Sequence, residues 1–475
     1  MNGYRLLLGA TLALGVAACE SPQGGITSTD VGAPRFQTSA SQGMIGIDVV
    51  LNTAPTPTIL SDLGTIGTVL DVIPEINSLT MRIASSALPA VQQRPYVKSA
   101  APDAERDGTP VDLVAASNFT NGFSTWDQDA INVTMQPLSN VRAIPETGDG
   151  VYVGILDTGL LDSWRQYFPQ ERIAEQYGIA FGGGGGGQGT VSSQPNKWEH
   201  DQNSHGTHVT STILGYNFSG VPINGVAPMA TVIPVKVLNQ NGKGWSSVIA
   251  RGIVYIADLK AGPLAGHPMV INMSLGGPES PIEEAAIDYA ISKGVIIVAA
   301  AGNAGDAGMD YPGAYAPVIS AAASGWVGEW LPDATGATNS WWLLSDVPDP
   351  TNANDYYIAS FSGRAKAGQD LDVAAPGSWV VGPYQTQSGT TSYFFLGGTS
   401  MASPHVAGIV ALMAQKQPSL TASEAEDILE RTAVPLPPGS RTIRNPDGTS
   451  SVVTWGADAT GAGLATANAA LAGMT

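Results

Sequence analysis

Cysteine is almost absent from this 475-residue chain; Cys19 is the single one. No intrachain disulfide can form, so a small disulfide-stapled scaffold is excluded, as is a zinc site of clustered cysteines. Charge is sparse, at 13% of residues, and leans acidic, with 40 Asp and Glu against 21 Lys and Arg. A net charge of −19 argues against a nucleic-acid partner, whose phosphates demand basic patches. Beyond the N-terminus, no stretch reaches the roughly 18 uninterrupted apolar residues of a membrane-spanning helix. Several catalytic signatures are missing as well. There is no H-E-x-x-H of a zinc peptidase and no G-x-S-x-G of an α/β-hydrolase. Asp-Thr-Gly occurs once, whereas an aspartic protease needs a pair of carboxylates.

Hydrophobic residues make up 43% of the chain, enough at this length for two or three domains with a sizeable core. The N-terminus reads as an export signal, with Arg5 followed by an apolar run of 11 residues, 6–16, too short to span a bilayer. The run ends in Val-Ala-Ala-Cys, which resembles the lipobox of bacterial lipoproteins, where the cysteine is acylated and becomes the mature N-terminus. The same small residues suit ordinary signal-peptidase cleavage after Ala18. Residues 1–18 are thus expected as signal peptide and 19–42 as a Gly, Ser, Thr and Pro-rich linker. The protein is expected to be exported, either secreted or held at the outer membrane or cell surface through Cys19.

Residues 43–98 alternate apolar and polar positions. GMIGIDVVL and INSLTMRI predict strands and SSALPAVQQ a short helix, so a small α/β domain is expected over 43–106. KSAAPDAERDGTP (98–110) is polar and predicted to be exposed, as a cleavable junction would be. From about residue 150 the texture changes. VYVGIL, ATVIPVKVL, MVINMSL and GVIIVAAAG read as buried strands, with helices between them. That alternation predicts, over 107–475, an α/β fold with a mostly parallel central sheet and helices on both faces. Ser280, Pro281 and Glu283 read as a helix start, with the serine capping and the glutamate reaching back; Thr421 and Glu424 repeat the pattern. Two stretches look inserted. Residues 181–195 are glycine-rich and read as a flexible loop, lacking the strand and helix that would make their GxGxxG a nucleotide site. Residues 325–357, rich in Trp, Asp and Asn, are predicted as a surface excursion.

The chemistry gathers in three glycine-flanked turns. In GGTSMASPHVAGIVALMAQ (397–415), Val406, Ile409, Val410 and Met413 mark a helical face, and Pro404, lacking an N–H, belongs in the first turn. The helix is therefore predicted to begin between Ser400 and Ser403. A residue there sits beside unpaired N–H groups and the positive end of the helix dipole, which favour the anion that acyl transfer develops. NSHGTHVTS (203–211) puts His205 at the start of another helix. GILDTGL (154–160) puts Asp157 at the C-terminal end of a buried strand, where open α/β sheets build sites. A serine nucleophile needs a base near neutrality, imidazole supplies it, and a carboxylate fixes the ring's tautomer.

Asp-Thr-Gly at 157–159, His-Gly-Thr-His at 205–208 and Gly-Thr-Ser-Met-Ala-Ser-Pro-His at 398–405, in that order, resemble the subtilisin-like serine proteases over roughly residues 125–470. The resemblance implies a serine endopeptidase with Ser400 as nucleophile, His205 as general base and acid, and Asp157 as orienting carboxylate. Asn303 of AAGN would stabilise the oxyanion beside the Ser400 N–H. Ser274, Leu275, Gly276 and Gly277, and residues 242–245 including Gly244, would be extended edges that pair with the substrate backbone. Ser403, His208 and His405 would be structural. Asp310, just before Tyr311-Pro312, would lie at the bottom of the pocket for the side chain preceding the cut, and would favour Lys or Arg there.

Residues 43–98 resemble that family's prosegment, a transient inhibitor removed by self-cleavage, for which Lys98 and Arg106 are basic candidates. The chemistry would need no cofactor. Structural calcium is common in the family, but Gln170 and residues 216–224, where it is expected, offer few charged oxygens, so the metal ligands stay unknown. Expected partners are protein or peptide substrates and the chain's own prosegment; a monomer is expected, touching membrane only through a lipid anchor. A contrasting reading is a catalytically silent surface-binding module on the same fold. Its signature would be a lost catalytic residue, and all four are present.

Overall fold

The computed structural model describes residues 43–116, 125–134, 141–182, 187–332, 347–386 and 392–474. The expected signal peptide, linker and Cys19 lie outside the described residues, as do 183–186 and 333–346 of the two inserted stretches.

The apolar runs pair as parallel strands. Tyr152–Asp157, Thr231–Lys236, Met269–Met273, Val295–Ala300 and Ile319–Trp326 form the centre of an eight-stranded sheet. Ile179–Ala180 and Val373–Pro376 add to it in parallel, and Tyr356–Ile358 antiparallel. Successive side chains of a strand point to opposite faces, and here both faces are covered, which is why the runs are mainly apolar, rich in Val, Ile and Ala. Val153, Val270 and Ile296 face a core shared with helices His205–Leu214 and Thr399–Lys416. Leu156, Ile271 and Ile297 face a second core under helices Ser246–Ala261 and Pro281–Ser292. This is the mostly parallel, doubly covered α/β sheet that the sequence pattern predicts.

Residues 43–102 form an antiparallel sheet in the order Thr68–Ile73, Ser78–Ala84, Met44–Leu51, Val97–Pro102. Helices Pro57–Gly64 and Leu88–Gln92 cover one face, around Ile59, Leu63 and Val91. From this sheet Val50 and Ile73, with nearby Ile76, join the core of the two helices Ser246–Ala261 and Pro281–Ser292. Beside them, buried Asp103 accepts from the Ser247 N–H at 3.0 Å, the Ser247 hydroxyl at 2.7 Å and the Gly189 N–H at 2.6 Å. Its carboxylate thereby caps the start of helix Ser246–Ala261 from another part of the chain, where the helix dipole favours an anion. Arg251 adds an ion pair to Asp71 at 2.7 Å.

Two sequence expectations are corrected in part. The polar stretch 98–110 is exposed only in part: Lys98, Pro102, Glu105, Asp107 and Thr109 are on the surface, but the stretch holds strands Val97–Pro102 and Glu105–Asp107, and Asp103 and Arg106 are 2% and 0% exposed. Those two charges are internal because each finds a partner inside, Asp103 at Ser247 and Arg106 at Glu283, while Lys98, Glu105 and Asp107 stay exposed. The described ends of 325–357 are a surface excursion only in part: residues 331–332 and 348–355 are exposed or half-buried, but the large side chains beside them are not. Trp326 closes a central strand, and Trp330, Val347, Tyr356 and Tyr357 are buried, sealing the sheet edge with their large apolar area. The described residues 187–193 of the glycine-rich stretch form a loop, as expected, attached through Gly189 to Asp103 and followed by the bridge of Gln194 to Ala180.

Candidate active site

Asp157 ends its strand fully buried, and the Thr158 N–H donates to its Oδ1 at 2.6 Å. His205 opens helix His205–Leu214 after Ser204, whose φ of 78° turns the chain sharply. The Gly206 N–H donates to Thr158 Oγ1 at 2.8 Å, and a Cβ on Gly206 would stand 2.3 Å from the Gly159 carbonyl oxygen. The two turns can meet only without that side chain. Their contact brings His205 Nδ1 within 2.8 and 3.0 Å of the two Asp157 oxygens. Nδ1 therefore carries the proton, and Nε2, buried and without a hydrogen-bond partner, is left as an acceptor. Burial opposes charge on the ring, but the Asp157 carboxylate, its hydrogen bond and the nearby Asp201 and Asp107 outweigh it, so the His205 pKa is raised. Asp201, which no sequence motif flags, is itself pushed up to about 6 by burial.

Ser400 is the second residue of helix Thr399–Lys416, which starts one residue earlier than predicted. Pro404 lies past the first turn, contrary to expectation. Its missing N–H would have bonded the Ser400 carbonyl, and the Ser274 hydroxyl donates to that oxygen instead, at 2.7 Å. Asn272 Nδ2 donates to Ser274 Oγ at 3.0 Å, and Ser403 Oγ donates to Asn272 Oδ1 at 2.6 Å. His405 bridges the Met401 carbonyl at 2.7 Å and Asp127 at 2.9 Å, and His208 reaches the Val380 carbonyl at 3.1 Å. Ser403, His208 and His405 are thus each engaged in internal hydrogen bonds. Ser400 Oγ donates to the Ser274 carbonyl at 3.2 Å. Asn303 Oδ1 accepts from both the N–H and the hydroxyl of Thr399, at 2.9 Å each, so the amide's NH2 group is turned away from Thr399 and free to donate.

A stretch of the chain itself runs between the two edges flanking this group. Glu105–Asp107 pairs antiparallel with Lys243–Trp245, placing Arg106 opposite Gly244. On its other side Asp107 exchanges backbone bonds with Gly276 at 2.9 and 3.0 Å. The Gly108 N–H reaches the Gly242 carbonyl at 2.9 Å, and a Cβ on Gly108 would stand 3.6 Å from His205 Cε1. The Val111 N–H then bonds the Gly397 carbonyl at 2.7 Å. The Thr109 N–H turns to Asp107 Oδ1, at 2.8 Å. The boundary expected after Arg106 falls within this strand.

Leu275 is buried, and the Gly277 N–H pairs with the Tyr311 carbonyl at 2.9 Å. Asp310 is thereby held between two glycines: a Cβ on Gly276 would meet its Cβ at 2.6 Å, and one on Gly302 its Oδ2 at 2.5 Å. Burial pushes the Asp310 carboxyl up to about 6. Glu283 does not reach back to cap its helix, and Ser280 makes no side-chain cap bond. The glutamate points inward to Arg106, at 2.6 Å. Gln170, expected near a metal, donates to Glu175 at 2.7 Å. Carboxylates that could hold a cation gather elsewhere, at Asp370, Asp372 and Glu426, with oxygens within 4.8 Å of one another.

The subtilase family, Peptidase S8, matches residues 148–460. Subtilisin BL and Subtilisin Savinase of Lederbergia lenta are each 38% identical over 307 residues, 64% of this chain and 91% of theirs. Subtilisin E of Bacillus subtilis is 37% identical over 295 residues, 61% of this chain and 62% of its own. Among solved structures, fervidolysin from Fervidobacterium pennivorans, a keratinolytic enzyme related to subtilisin, matches with a TM-score of 0.64 at 22% identity, over 93% of this chain and 62% of its own; that likeness concerns the fold. Sphericase matches with a TM-score of 0.50 at 28% identity, over 74% of this chain and 99% of its own. The family match spans Asp157, His205, Asn303 and Ser400, and the chain belongs to the subtilase family of serine endopeptidases.

Proposed function

We propose that the chain is an exported precursor, acting as a monomer, whose N-terminal α/β unit blocks the cleft until self-cleavage removes it, and that the mature enzyme cuts protein or peptide substrates after Lys or Arg. The observation that carries this reading is the passage of residues 105–111 through the cleft, bonded to Gly242, Gly276 and Gly397. Ser400 is the nucleophile. A peptide that brings its own N–H to the Ser274 carbonyl displaces the Ser400 hydroxyl toward His205 Nε2, the open acceptor. His205 takes the hydroxyl proton as Oγ attacks, and Asp157 stabilises the imidazolium. The Asn303 amide and the Ser400 N–H face the developing oxyanion. His205 then protonates the leaving amine, and water cleaves the acyl ester by the same route.

The basic preference rests on Asp310, ionised above about pH 6 and enclosed by Gly276 and Gly302. Calcium is a proposed stabilising ligand at Asp370, Asp372 and Glu426, and acylation of Cys19 a proposed anchor. Among the described residues no helix is long and apolar enough to cross a membrane. The test compares kcat/KM for peptides with Arg, Phe or Glu before the cut in wild type, Asp310→Gly and Ser400→Ala. Arg should lead Phe by roughly 30-fold or more in wild type, the worth of a desolvated ion pair, and the lead should vanish in Asp310→Gly. Ser400→Ala should hydrolyse nothing and stay full-length. Preference for Phe in wild type would remove the role of Asp310; a shortened, active Ser400→Ala would remove that of Ser400.

A further inference from the structure

Arg106 and Glu283 are both fully buried. The guanidinium grips the carboxylate along one edge: Nη2 donates to Oε2 at 2.6 Å, and Nε lies 3.1 and 3.3 Å from the two oxygens. Nη1 donates to the Glu105 carbonyl at 3.1 Å. The group lies against Gly277, where a Cβ would stand 2.8 Å from Nη1. Burying two charges is costly and adds little stability over an apolar pair of the same shape. A buried pair of this kind is better explained by what it selects.

The two partners differ in kind. Glu283 belongs to the protease body, on helix Pro281–Ser292, which follows directly from the Gly276 and Gly277 edge. Arg106 belongs to the strand lying in the cleft, and its position there is set by backbone pairing to Lys243–Trp245 on one side and by Asp107 to Gly276 on the other. Any peptide that adopts the same pairing delivers its own side chain to Glu283. The register follows from the same bonds. Gly108 lies beside His205 and Val111 is bonded to Gly397, three residues before Ser400, so the Thr109–Pro110 bond is central to the site. Arg106 is the fourth residue before that bond.

We infer that Glu283 is a specificity-determining residue, and that the enzyme selects substrates carrying arginine four residues before the cleaved bond. This rests on the endopeptidase reading above and adds a second basic position to it. Once the strand departs, Glu283 is left as a carboxylate facing the position that Arg106 vacates, where a donor-rich cation restores the lost bonds. Its two oxygens face Nε and Nη2 together, a fork that arginine matches and lysine meets at a single point. An acidic side chain is repelled.

The test uses the mature enzyme, its active sites counted by titration with an active-site-directed fluorophosphonate. The peptides are identical on both sides of the cut, with Pro avoided after it, and carry Arg, Lys, Ala or Glu at the fourth position before it. In wild type, kcat/KM should fall about 100-fold from Arg to Ala, with Lys between them and Glu lowest. In Glu283→Gln the Arg-to-Ala ratio should shrink to about 3 or less. The double variant Arg106→Leu with Glu283→Leu removes both charges and so protects the precursor's folding; its mature form should prefer Leu to Arg at that position. If wild type titrates and cuts the Arg and Ala peptides equally well, the inference is overturned and the endopeptidase reading stands. If wild type neither titrates nor cuts any of them, both fall.

Discussion

His205 shows how far one side chain depends on its neighbours. Free imidazole titrates near 6.5. Here burial disfavours the cation, but Asp157 at 2.8 Å, with Asp201 and the cleft-bound Asp107 beyond, more than compensates, and the pKa rises; Asp157 and Asp201 remain when the strand bearing Asp107 departs. In the proposed mechanism the base must be neutral to accept the Ser400 proton, so a raised value moves the acid limb of activity upward. The profile of kcat/KM against pH, which reports the free enzyme, should fall on acidification with a midpoint above about 6.5. A midpoint below about 6 would show that the carboxylates do not govern the ring. Asp157→Asn should remove the raised limb along with most of the turnover, since the tautomer is then no longer fixed.

At the scale of elements, two helix starts with the same sequence signature behave differently. Thr421 and Glu424 form the reciprocal capping box, with both side-chain bonds made at an exposed helix end. Ser280 and Glu283 do not, because a guanidinium lies within reach of the glutamate. A local cap is worth about 1 kcal/mol, and a desolvated charge with its partner in range outweighs it. Strand Val373–Pro376 and helix Ala422–Thr432 offer a second instance of local chemistry awaiting a partner. Asp372 Oδ2 takes the Ser320 N–H and hydroxyl at 2.6 and 2.8 Å, while its buried Oδ1 has no partner. Burial pushes that carboxyl up to about 7. Calcium held by Asp370, Asp372 and Glu426 would satisfy the oxygen and tie the strand to the helix. Thermal unfolding with saturating calcium should occur roughly 2–6 °C higher than with chelator, from about 3 kcal/mol of ligand linkage. Asp372→Asn should abolish the difference; an unchanged shift in that variant would place the ion elsewhere.

For the whole molecule, the question is what keeps the N-terminal sheet on the protease body. Val50, Ile73 and Ile76 supply apolar contact. Asp103 supplies direction, accepting from Ser247 and Gly189. Asp103→Ala would leave those buried donors unsatisfied, at about 1–3 kcal/mol each where water cannot replace the carboxylate. In a Ser400→Ala background, chosen to block the proposed self-cleavage, hydrogen exchange of the amides in Val97–Pro102 should rise roughly 30-fold, on the basis of about 2 kcal/mol of lost protection. Exchange unchanged from the parent would assign the attachment to the apolar contact and to residues 105–111 alone.

Some of this was legible in the residues themselves. Buried strands, helix stretches and the Thr421 cap follow from periodicity and turn chemistry within a few positions, and physics at that range is written in the local sequence. Asp157, His205 and Ser400 stood out because each occupies a glycine-flanked turn and the three together resemble one family. Tertiary structure alone decided the rest. Arg106 and Glu283 are 177 positions apart, and neither carries a local signal of the other. A polar stretch read as exposed became a cleft-bound strand because the two backbone edges that receive it come from distant segments. Pro404 sits past the first turn because Ser274, far away in the chain, donates the hydrogen bond that the proline cannot. Charge, hydrogen-bond satisfaction and register are settled only when such segments meet, since their energies depend on the partner and the burial that the fold supplies.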